Sequence, residues 1–198
     1  MKKKYSHNII DNYFKISSNF INNCSNFKTE IFSIVSEILK ADKNKRKILV
    51  AGNGGSSSDA DHFVCELTCT FDNRKRKAIS AISLNNPTAL SAWSNDFSYE
   101  TFLERQIKAL GKEKDLLFLL STSGGDFKKK QSINLINALK EAKEKNIKII
   151  SFTGKSGGYL KNNSDINIHI NCNETSIIQE CHIALLHSIC ILIDGIKK

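Results

Sequence analysis

The chain has 198 residues, which is enough for one domain with a sizeable core, and its 40% hydrophobic and 25% charged content is that of an ordinary globular protein. The net charge is +9, but the basic residues are scattered and no nucleic-acid-binding motif accompanies them, so we expect no nucleic-acid partner. No apolar stretch of the sequence is long enough for a membrane span, and the basic start lacks the apolar region of a secretory signal. We therefore expect a cytoplasmic protein with no membrane partner.

Hydrophobic periodicity predicts helices and strands that alternate along the chain. The N-terminal segment has a helical pattern, which we expect to form two helices with a break near residues 22–26. Buried strands are predicted at 46–52, 77–84, 115–121, 147–154 and 165–170. Helices are predicted at 57–71, from Pro87 onward, and at 98–110, 131–145 and 175–193.

Strands that alternate with helices indicate βαβ units and therefore an α/β fold. We expect a three-layer αβα sandwich with a mainly parallel five-stranded sheet, as one domain over 1–198 with a helical N-terminal segment at 1–45. In such sheets, ligands bind at the carboxyl ends of the strands. Two loops rich in glycine and hydroxyl groups fall at those ends, GNGGSSS (52–58) and STSGG (121–125).

The first of these loops matches neither common nucleotide-binding motif. The third position of GxGxxG falls on Ser57, and no GK[ST] follows. Its backbone N–H groups near a helix N-terminus suit an anion or sugar oxygens, although a tight turn with a serine cap would look the same. In the second loop, Ser121, Thr122 and Ser123 suit a phosphomonoester, with a hydroxyl-rich turn as the alternative. Two such loops on one sheet edge favour a shared polar pocket.

Four ionisable or amide side chains form the second group of candidates. His62 and Glu66 are four residues apart, so they share one helix face and could touch a metal ion or a reacting substrate, or form a solvent-facing pair. In the last helix, Glu180 and His187 are nearly eclipsed, and Gln179 is also close enough to converge with His187. The spacing slightly favours Glu180 over Gln179, and His187 could equally be a core histidine.

The six cysteines form no CxxC pair. Most of them lie in apolar helical patterns, where a reduced thiol behaves as a small core residue. Cys65 and Cys69 are four residues apart, which would permit a metal role, but no second thiol pair supports one.

Taken together, these stretches resemble the phosphoheptose isomerases of the sugar isomerase (SIS) domain superfamily over nearly the whole chain. AGNGGSSSDADHFVCEL (51–67) resembles the family's GNGGSxxDAxHFxxEL, and IIQECHIALLH (177–187) resembles RIQExHxxxxH. SNDF (94–97) resembles an SNDF or ANDF stretch, and STSG with the segment at 131–158 resembles STSGNSxNVxxAxxxAxxxGxxxIxLTGxxGG.

The resemblance implies an isomerase that converts sedoheptulose 7-phosphate to D-glycero-D-manno-heptose 7-phosphate for bacterial heptose biosynthesis. It also implies a homotetramer with active sites between subunits and a zinc ion held by His62, Glu66, Gln179 and His187, which selects Gln179 over Glu180. For the proton transfer between C1 and C2, Glu66 is the candidate base and His187 its acid–base partner, while zinc would polarise the carbonyl. Substrate contacts are expected from Asn53, Gly54, Ser56, Asp96, Ser121, Thr122, Ser123, Ser132 and Gln179.

The chain departs from the family pattern in two places. Thr70 stands where the family has an arginine, and Arg74 or a nearby lysine is the candidate replacement. GDFKKK (125–130) interrupts the phosphate loop before Ser132, either as a solvated bulge, which we favour, or as lysines that fold over an anionic substrate. Two rival interpretations are a non-catalytic SIS-domain binding or regulatory protein and an isomerase of a different sugar phosphate. Retention of Glu66 and His187 favours the enzyme.

Overall fold

The N-terminal helical pattern forms two helices in the computed structural model, which describes residues 7–196. Helix α1 spans His7–Asn23 and helix α2 spans Lys28–Lys43, with one turn of 3₁₀ helix, Cys24–Phe27, between them. The predicted break near residues 22–26 is therefore confirmed. The start of the predicted 1–45 segment lies outside the described residues, and the single-domain boundaries stay a prediction.

Five strands form one parallel sheet with helices between them. The strands are β1 (Ile48–Gly52), β2 (Ala81–Ser83), β3 (Leu116–Ser121), β4 (Lys148–Gly154) and β5 (Ile166–Ile170). The helices that follow them are α3 (Gly55–Thr68), α4 (Pro87–Asp96), α5 (Phe102–Leu110), α6 (Ile133–Glu144), α7 (Gly158–Asn163) and α8 (Thr175–Ile196). The predicted α/β sandwich is confirmed.

The strand order is β2-β1-β3-β4-β5, so the chain moves outward from β1 to one edge and then returns to the other side of β1. The order therefore reverses between β1 and β3, which pair along their whole length from Ile48–Leu116 to Gly52–Leu120. In open parallel sheets, the crevice outside the carboxyl ends of two such strands is the usual ligand position.

The core has two halves, one on each face of the sheet. Alternate residues of β1 point to opposite faces: Val50 packs with α2, α3 and α8, whereas Leu49 packs with α5 and α6. Because both faces are covered, β1 and β3 are buried at every position and are apolar almost throughout.

Helix α8 is the most apolar helix of the fold. Its residues Thr175–Ile196 have the length and hydropathy that a membrane-spanning helix would need, yet half of that window is buried inside the fold. The helix packs against α1, α2, α3 and β4. These contacts are those of a core helix, and they fix the positions of the polar side chains on its first half.

Two elements differ from the sequence prediction. Strand β2 covers three residues rather than the predicted 77–84, because the N–H of Ile79 donates to the carbonyl of Leu67 in α3 and not to a strand. Helix α7 was not predicted. It is six residues long and starts in a glycine pair, and Leu160 is its one buried residue, so it carries no periodic apolar pattern.

Candidate active site

The two polar loops flank the crevice where the strand order reverses. Residues 53–54 connect β1 to α3, and residues 122–132 connect β3 to α6. Because β1 and β3 are adjacent, both loops leave the same sheet edge side by side. The sequence-based prediction of one shared polar edge agrees with this arrangement.

The glycine loop needs glycine for two different physical reasons. Gly54 has φ +56° and ψ −125°, a conformation that is strained for residues with a side chain. At Gly55, a Cβ atom would lie 2.5 Å from Nε2 of Gln179, so the absence of a side chain lets α8 approach. Ser56, the next residue, is 2% exposed and lies in the first turn of α3.

Asn53 joins the two walls of the crevice. Its Nδ2 donates to Oδ1 of Asn134 over 3.0 Å, and Nδ2 of Asn134 donates back to Oδ1 of Asn53 over 2.7 Å. The hydroxyl of Tyr99 donates to the same Asn53 oxygen over 2.8 Å. Neither Asn134 nor Tyr99 was predicted to belong to the site. The available sequence signal for Asn134 was a polar residue within the apolar stretch INLINAL at the start of α6, and the structure buries it.

His62, Glu66 and His187 come together although α3 and α8 are far apart in sequence. The Nε2 atoms of His62 and His187 are 2.9 Å apart, and Nε2 of His62 is 3.5 Å from Oε1 of Glu66. The side chain of His62 is 45% exposed and that of Glu66 is 16% exposed, so the group is open to a ligand. The ring of Phe71 packs at 5.4 Å beside His187.

The donor chemistry of these three side chains suits a divalent cation such as zinc. A tetrahedral zinc ion with bonds of about 2.0–2.1 Å holds its donor atoms about 3.3–3.4 Å apart. The His62–Glu66 separation is near that value and the His62–His187 separation is a few tenths of an ångström below it. Within residues 7–196 no group of three or more His, Cys, Asp and Glu side chains is already arranged as a metal site.

Gln179 and Glu180 point to different neighbours. The side chain of Gln179 lies against Gly55 at the start of α3. The carboxylate of Glu180 instead accepts hydrogen bonds from the hydroxyls of Tyr13 and Ser17 in α1. Spacing had slightly favoured Glu180, but its carboxylate is occupied in fastening α1 to α8, whereas Gln179 faces the glycine loop.

A second carboxyl group, Asp59, lies one turn before His62 on α3. Burial raises the pKa of Asp59 to about 6, and the charge of His62 opposes that rise. Its Oδ2 atom is buried and has no hydrogen-bond partner within the described part of the chain. This group was not singled out as a site residue, although the D of the family pattern GNGGSxxDAxHFxxEL falls on Asp59 and not on the neighbouring Asp61.

The hydroxyl loop after β3 is partly closed on itself. The buried hydroxyl of Ser121 accepts a hydrogen bond from the N–H of Gly124 over 3.0 Å and lies 3.5 Å from Oγ of Ser123. Ser123 and Thr122 are half-buried. The loop thus combines hydroxyl groups with the backbone of two glycines of positive φ, Gly124 and Gly125.

The sequence is similar to one known domain family and to named members of it. Residues 12–154 match the SIS domain family. The chain is 42% identical to a probable phosphoheptose isomerase of Thermoplasma acidophilum over 83% of this chain and 87% of that protein. It is 40% identical to phosphoheptose isomerase 1 of Campylobacter jejuni over 84% of this chain and 87% of that protein. The chain belongs to the phosphoheptose isomerase family.

A solved member of the phosphoheptose isomerase family has the same fold. The structure of a phosphoheptose isomerase from Francisella tularensis superposes with a TM-score of 0.88 at 30% identity, covering 96% of this chain and 99% of that one. The family resemblance in the sequence is therefore confirmed, and so is the expectation of an aldose–ketose isomerase.

In this member of the phosphoheptose isomerase family, the insertion at 125–130 in the hydroxyl loop forms a tight hairpin. Asp126 and Gln131 exchange two backbone hydrogen bonds of 2.9 and 3.0 Å, which close its base. Phe127 packs on Tyr159. Ser132 follows at once as the residue before α6, with φ +52°, and its carbonyl lies beside Gly125. The insertion therefore leaves Ser132 next to the hydroxyl loop.

The residues near the missing family arginine have other contacts. The hydroxyl of Thr70 donates to the carbonyl of Asn73 over 2.9 Å, and Arg74 is exposed. Arg76 was not singled out from the sequence. It is buried, and its guanidinium bonds Asp194 and the carbonyls of Glu66 and Leu67. It therefore stabilises the end of α3.

Asp96 is the predicted site residue with the least support from its position. It is exposed at the end of α4, where its carboxylate accepts a hydrogen bond from Asn95 over 2.9 Å. Its described contacts reach neither polar loop, so its role as a sugar contact stays a prediction.

Proposed function

We propose that this chain catalyses the reaction for which its family is named, the isomerisation of sedoheptulose 7-phosphate to D-glycero-D-manno-heptose 7-phosphate for bacterial heptose biosynthesis. The observation that carries the proposal is the convergence of His62, Glu66 and His187 beside the polar crevice. An isomerase needs a base and a second proton carrier within reach of one substrate, and this cluster supplies both.

The reaction moves one proton between C1 and C2 of the sugar through an enediol. Glu66 takes the proton from one carbon and returns it to the other, while His187 transfers a proton between the two oxygen atoms. The hydroxyls of Ser121, Thr122, Ser123 and Ser132 hold the phosphate group. Asn53, Gly54, Ser56, Asp96 and Gln179 orient the sugar.

We further propose that a zinc ion is held by His62, Glu66, Gln179 and His187. The donor set of two imidazoles, a carboxylate and an amide oxygen is chemically suitable. When bound, zinc supplies Lewis-acid polarisation of the substrate carbonyl. Ligation would lower the basicity of Glu66, so its roles as ligand and base compete. Elemental analysis of purified protein before and after chelation tests the stoichiometry of one zinc per chain.

A homotetramer in the cytoplasm, with active sites between subunits, completes the proposal. No residue of α1 is buried, and the apolar side chains of Ile9, Ile10 and Phe14 on this helix are 58–68% exposed. An apolar groove of about 500 Å³ between α2 and α8 is lined by Phe32 and Ile191, among others. Exposed apolar surface of this extent favours a partner, for which a second copy of the chain is our candidate. Light scattering on the purified protein should give the mass of four chains.

The decisive experiment is turnover of sedoheptulose 7-phosphate by the metal-loaded protein. We expect activity in the wild type and losses of at least about 100-fold in Glu66→Gln and His187→Ala, because each removes a proton-transfer group. Glu104→Gln, which alters a half-buried carboxylate that pairs with Lys108 on α5, is the matched control and should retain full activity. Binding of the sugar phosphate without any conversion would instead support the non-catalytic regulatory interpretation.

A second candidate is an isomerase of a different sugar phosphate. Thr70 and Arg74 provide no obvious replacement for the family arginine, since Thr70 bonds its own turn and Arg74 is exposed. Parallel assays with ketose phosphates of five, six and seven carbons distinguish the two candidates. A kcat/KM for another substrate above that for sedoheptulose 7-phosphate would select the second.

A further inference from the structure

Two exposed thiols lie side by side at the end of α3. All six cysteines fall within the described residues, and Cys65 and Cys69 are the exposed ones while the other four are buried. The N–H of Cys69 donates to the carbonyl of Cys65 over 2.9 Å, which closes the last helical turn and puts both side chains on one face. The two thiols are close enough to interact electrostatically with each other.

The thiol pair continues the face of α3 that carries the candidate active site. Residues at i, i+3, i+4 and i+7 lie along one helix face, and His62, Cys65, Glu66 and Cys69 have this spacing. Glu66 therefore lies between the two cysteines in sequence and one turn from the imidazole of His62. Any group held by both sulfurs would sit directly beside Glu66.

The helical geometry favours chelation over a disulfide. Side chains at i and i+4 have Cβ atoms about 5–6 Å apart, whereas a disulfide requires a Cβ separation of about 3.5–4.5 Å. A single atom that forms two bonds to sulfur spans the larger gap without unwinding the helix. Soft, thiophilic centres form such bonds preferentially with thiolates.

We propose that Cys65 and Cys69 form a chelating dithiol site for thiophilic metalloid centres, of which trivalent arsenic is the representative. In the reaction with phenylarsine oxide, the arsenic–oxygen bonds break and two arsenic–sulfur bonds form. The two thiol protons leave with the oxygen as one water molecule, and arsenic stays trivalent. The occupied site places a bulky phenylarsenic group beside Glu66 and so blocks the candidate active site.

The test uses one equivalent of phenylarsine oxide on the native full-length protein, followed by mass spectrometry of the intact chain. We expect one adduct per chain that survives excess glutathione but is removed by ethanedithiol, because only a dithiol competes with a chelate. Cys65→Ser and Cys69→Ser should each lose the glutathione-resistant adduct. The proposal is overturned if the wild type forms no such adduct, or if the double variant still forms it.

The buried thiols provide a matched control. Cys24 and Cys181 are also neighbouring thiols, but both are buried in the core. Cys24→Ser should therefore keep the full adduct, and loss of the adduct in this variant would assign the site to the core pair instead. A thermal melt of each variant establishes that it is folded.

Only the activity measurement rests on the proposed function. Wild-type turnover should fall in proportion to the adduct formed, and Cys69→Ser should keep its turnover in the presence of phenylarsine oxide. A wild type that forms the adduct but never converts sugar phosphate would refute the isomerase and leave the dithiol site intact. Full turnover by fully modified protein would refute the blocking of the site.

Discussion

The Nε2 atoms of His62 and His187 face each other at 2.9 Å, although 125 residues separate the two histidines in sequence. The contact exists because α3 starts at the carboxyl end of β1 and α8 packs across it in the same half of the core. It joins the two sequence motifs that carry the candidate chemistry.

Gly55→Ala should weaken metal binding without unfolding the protein. The added Cβ would lie 2.5 Å from the amide nitrogen of Gln179, a flexible side-chain end that can move away. If Gln179 is a zinc ligand, its displacement should reduce zinc affinity by roughly 10–100-fold, the range seen when the support of a ligand is lost. Titration calorimetry of metal-free protein measures the affinity. Gly195→Ala, where a Cβ meets open space, is the control, and an equal loss there would contradict the prediction.

Arg76→Ala should destabilise the fold strongly. The guanidinium forms a buried ion pair with Asp194, whose carboxylate also accepts the N–H groups of Asp72 and Asn73. Removal of one partner leaves an uncompensated buried charge, at a cost of about 3–5 kcal/mol in the free energy of unfolding. Urea denaturation measures this. Lys129→Ala, which breaks an exposed pair with Asp126, should cost less than about 1 kcal/mol, and similar losses in both variants would refute the distinction.

The stability of the protein should decrease in mild acid because of His182. Burial lowers the pKa of His182 to about 4 from an ordinary value of 6.5, although a hydrogen bond to the Thr153 carbonyl partly opposes this. Between these two values the unfolded chain binds a proton that the folded chain does not, so stability falls as the pH decreases through this range. The full loss is on the order of 3 kcal/mol.

Urea denaturation from pH 7.5 to pH 4 in the wild type and in His182→Leu measures this contribution. The difference in slope between the two proteins should be confined to the range between pH 6.5 and pH 4. Asp59 has the opposite effect on stability in acid. Because its pKa is raised to about 6, the folded chain binds a proton at this carboxyl group at a higher pH than the unfolded chain does. Asp59→Asn should therefore steepen the acid loss, and parallel curves for wild type and His182→Leu would contradict the assignment.

Replacement of Lys128, Lys129 and Lys130 together by alanine should leave KM for the sugar phosphate within about threefold of the wild type. The three lysines are exposed on a hairpin that is closed at its base, and exposed charges of this kind interact weakly across solvent. Steady-state kinetics at two salt concentrations measure the effect. Ser123→Ala in the hydroxyl loop is the comparison and should raise KM, whereas a large salt-dependent rise in the lysine variant would show that the hairpin contacts substrate.

The sequence predicted the sheet and most of its helices because their signals are local. β1 and β3 are continuous apolar runs, and α6 has a clear helical period, so these elements are identifiable from the chain alone. α7 was missed because it buries one residue, and β2 was overestimated because Ile79 bonds a helix end. The first error arises because α7 has no local pattern to detect, and the second because a tertiary contact overrides the local pattern.

The candidate site was predictable in part for the same reason. Spacing placed His62 and Glu66 together, since both lie on α3, but it slightly favoured Glu180 over Gln179, and only the family resemblance selected Gln179. The difference between the two side chains depends on α1, because the hydroxyls of Tyr13 and Ser17 on this helix donate hydrogen bonds to the carboxylate of Glu180. Arg76 and Asn134 were missed because their partners, Asp194 and Asn53, are 118 and 81 residues away in sequence.

The mutual amide bonds of Asn53 and Asn134 have a mechanical consequence for the crevice. They bridge the segment after one strand to the helix after the neighbouring strand, directly across the reversal of strand order. The two sides cannot part unless both bonds break together. As long as both hydrogen bonds are intact, the pair therefore sets the distance between the loop that follows β1 and the helix that follows β3.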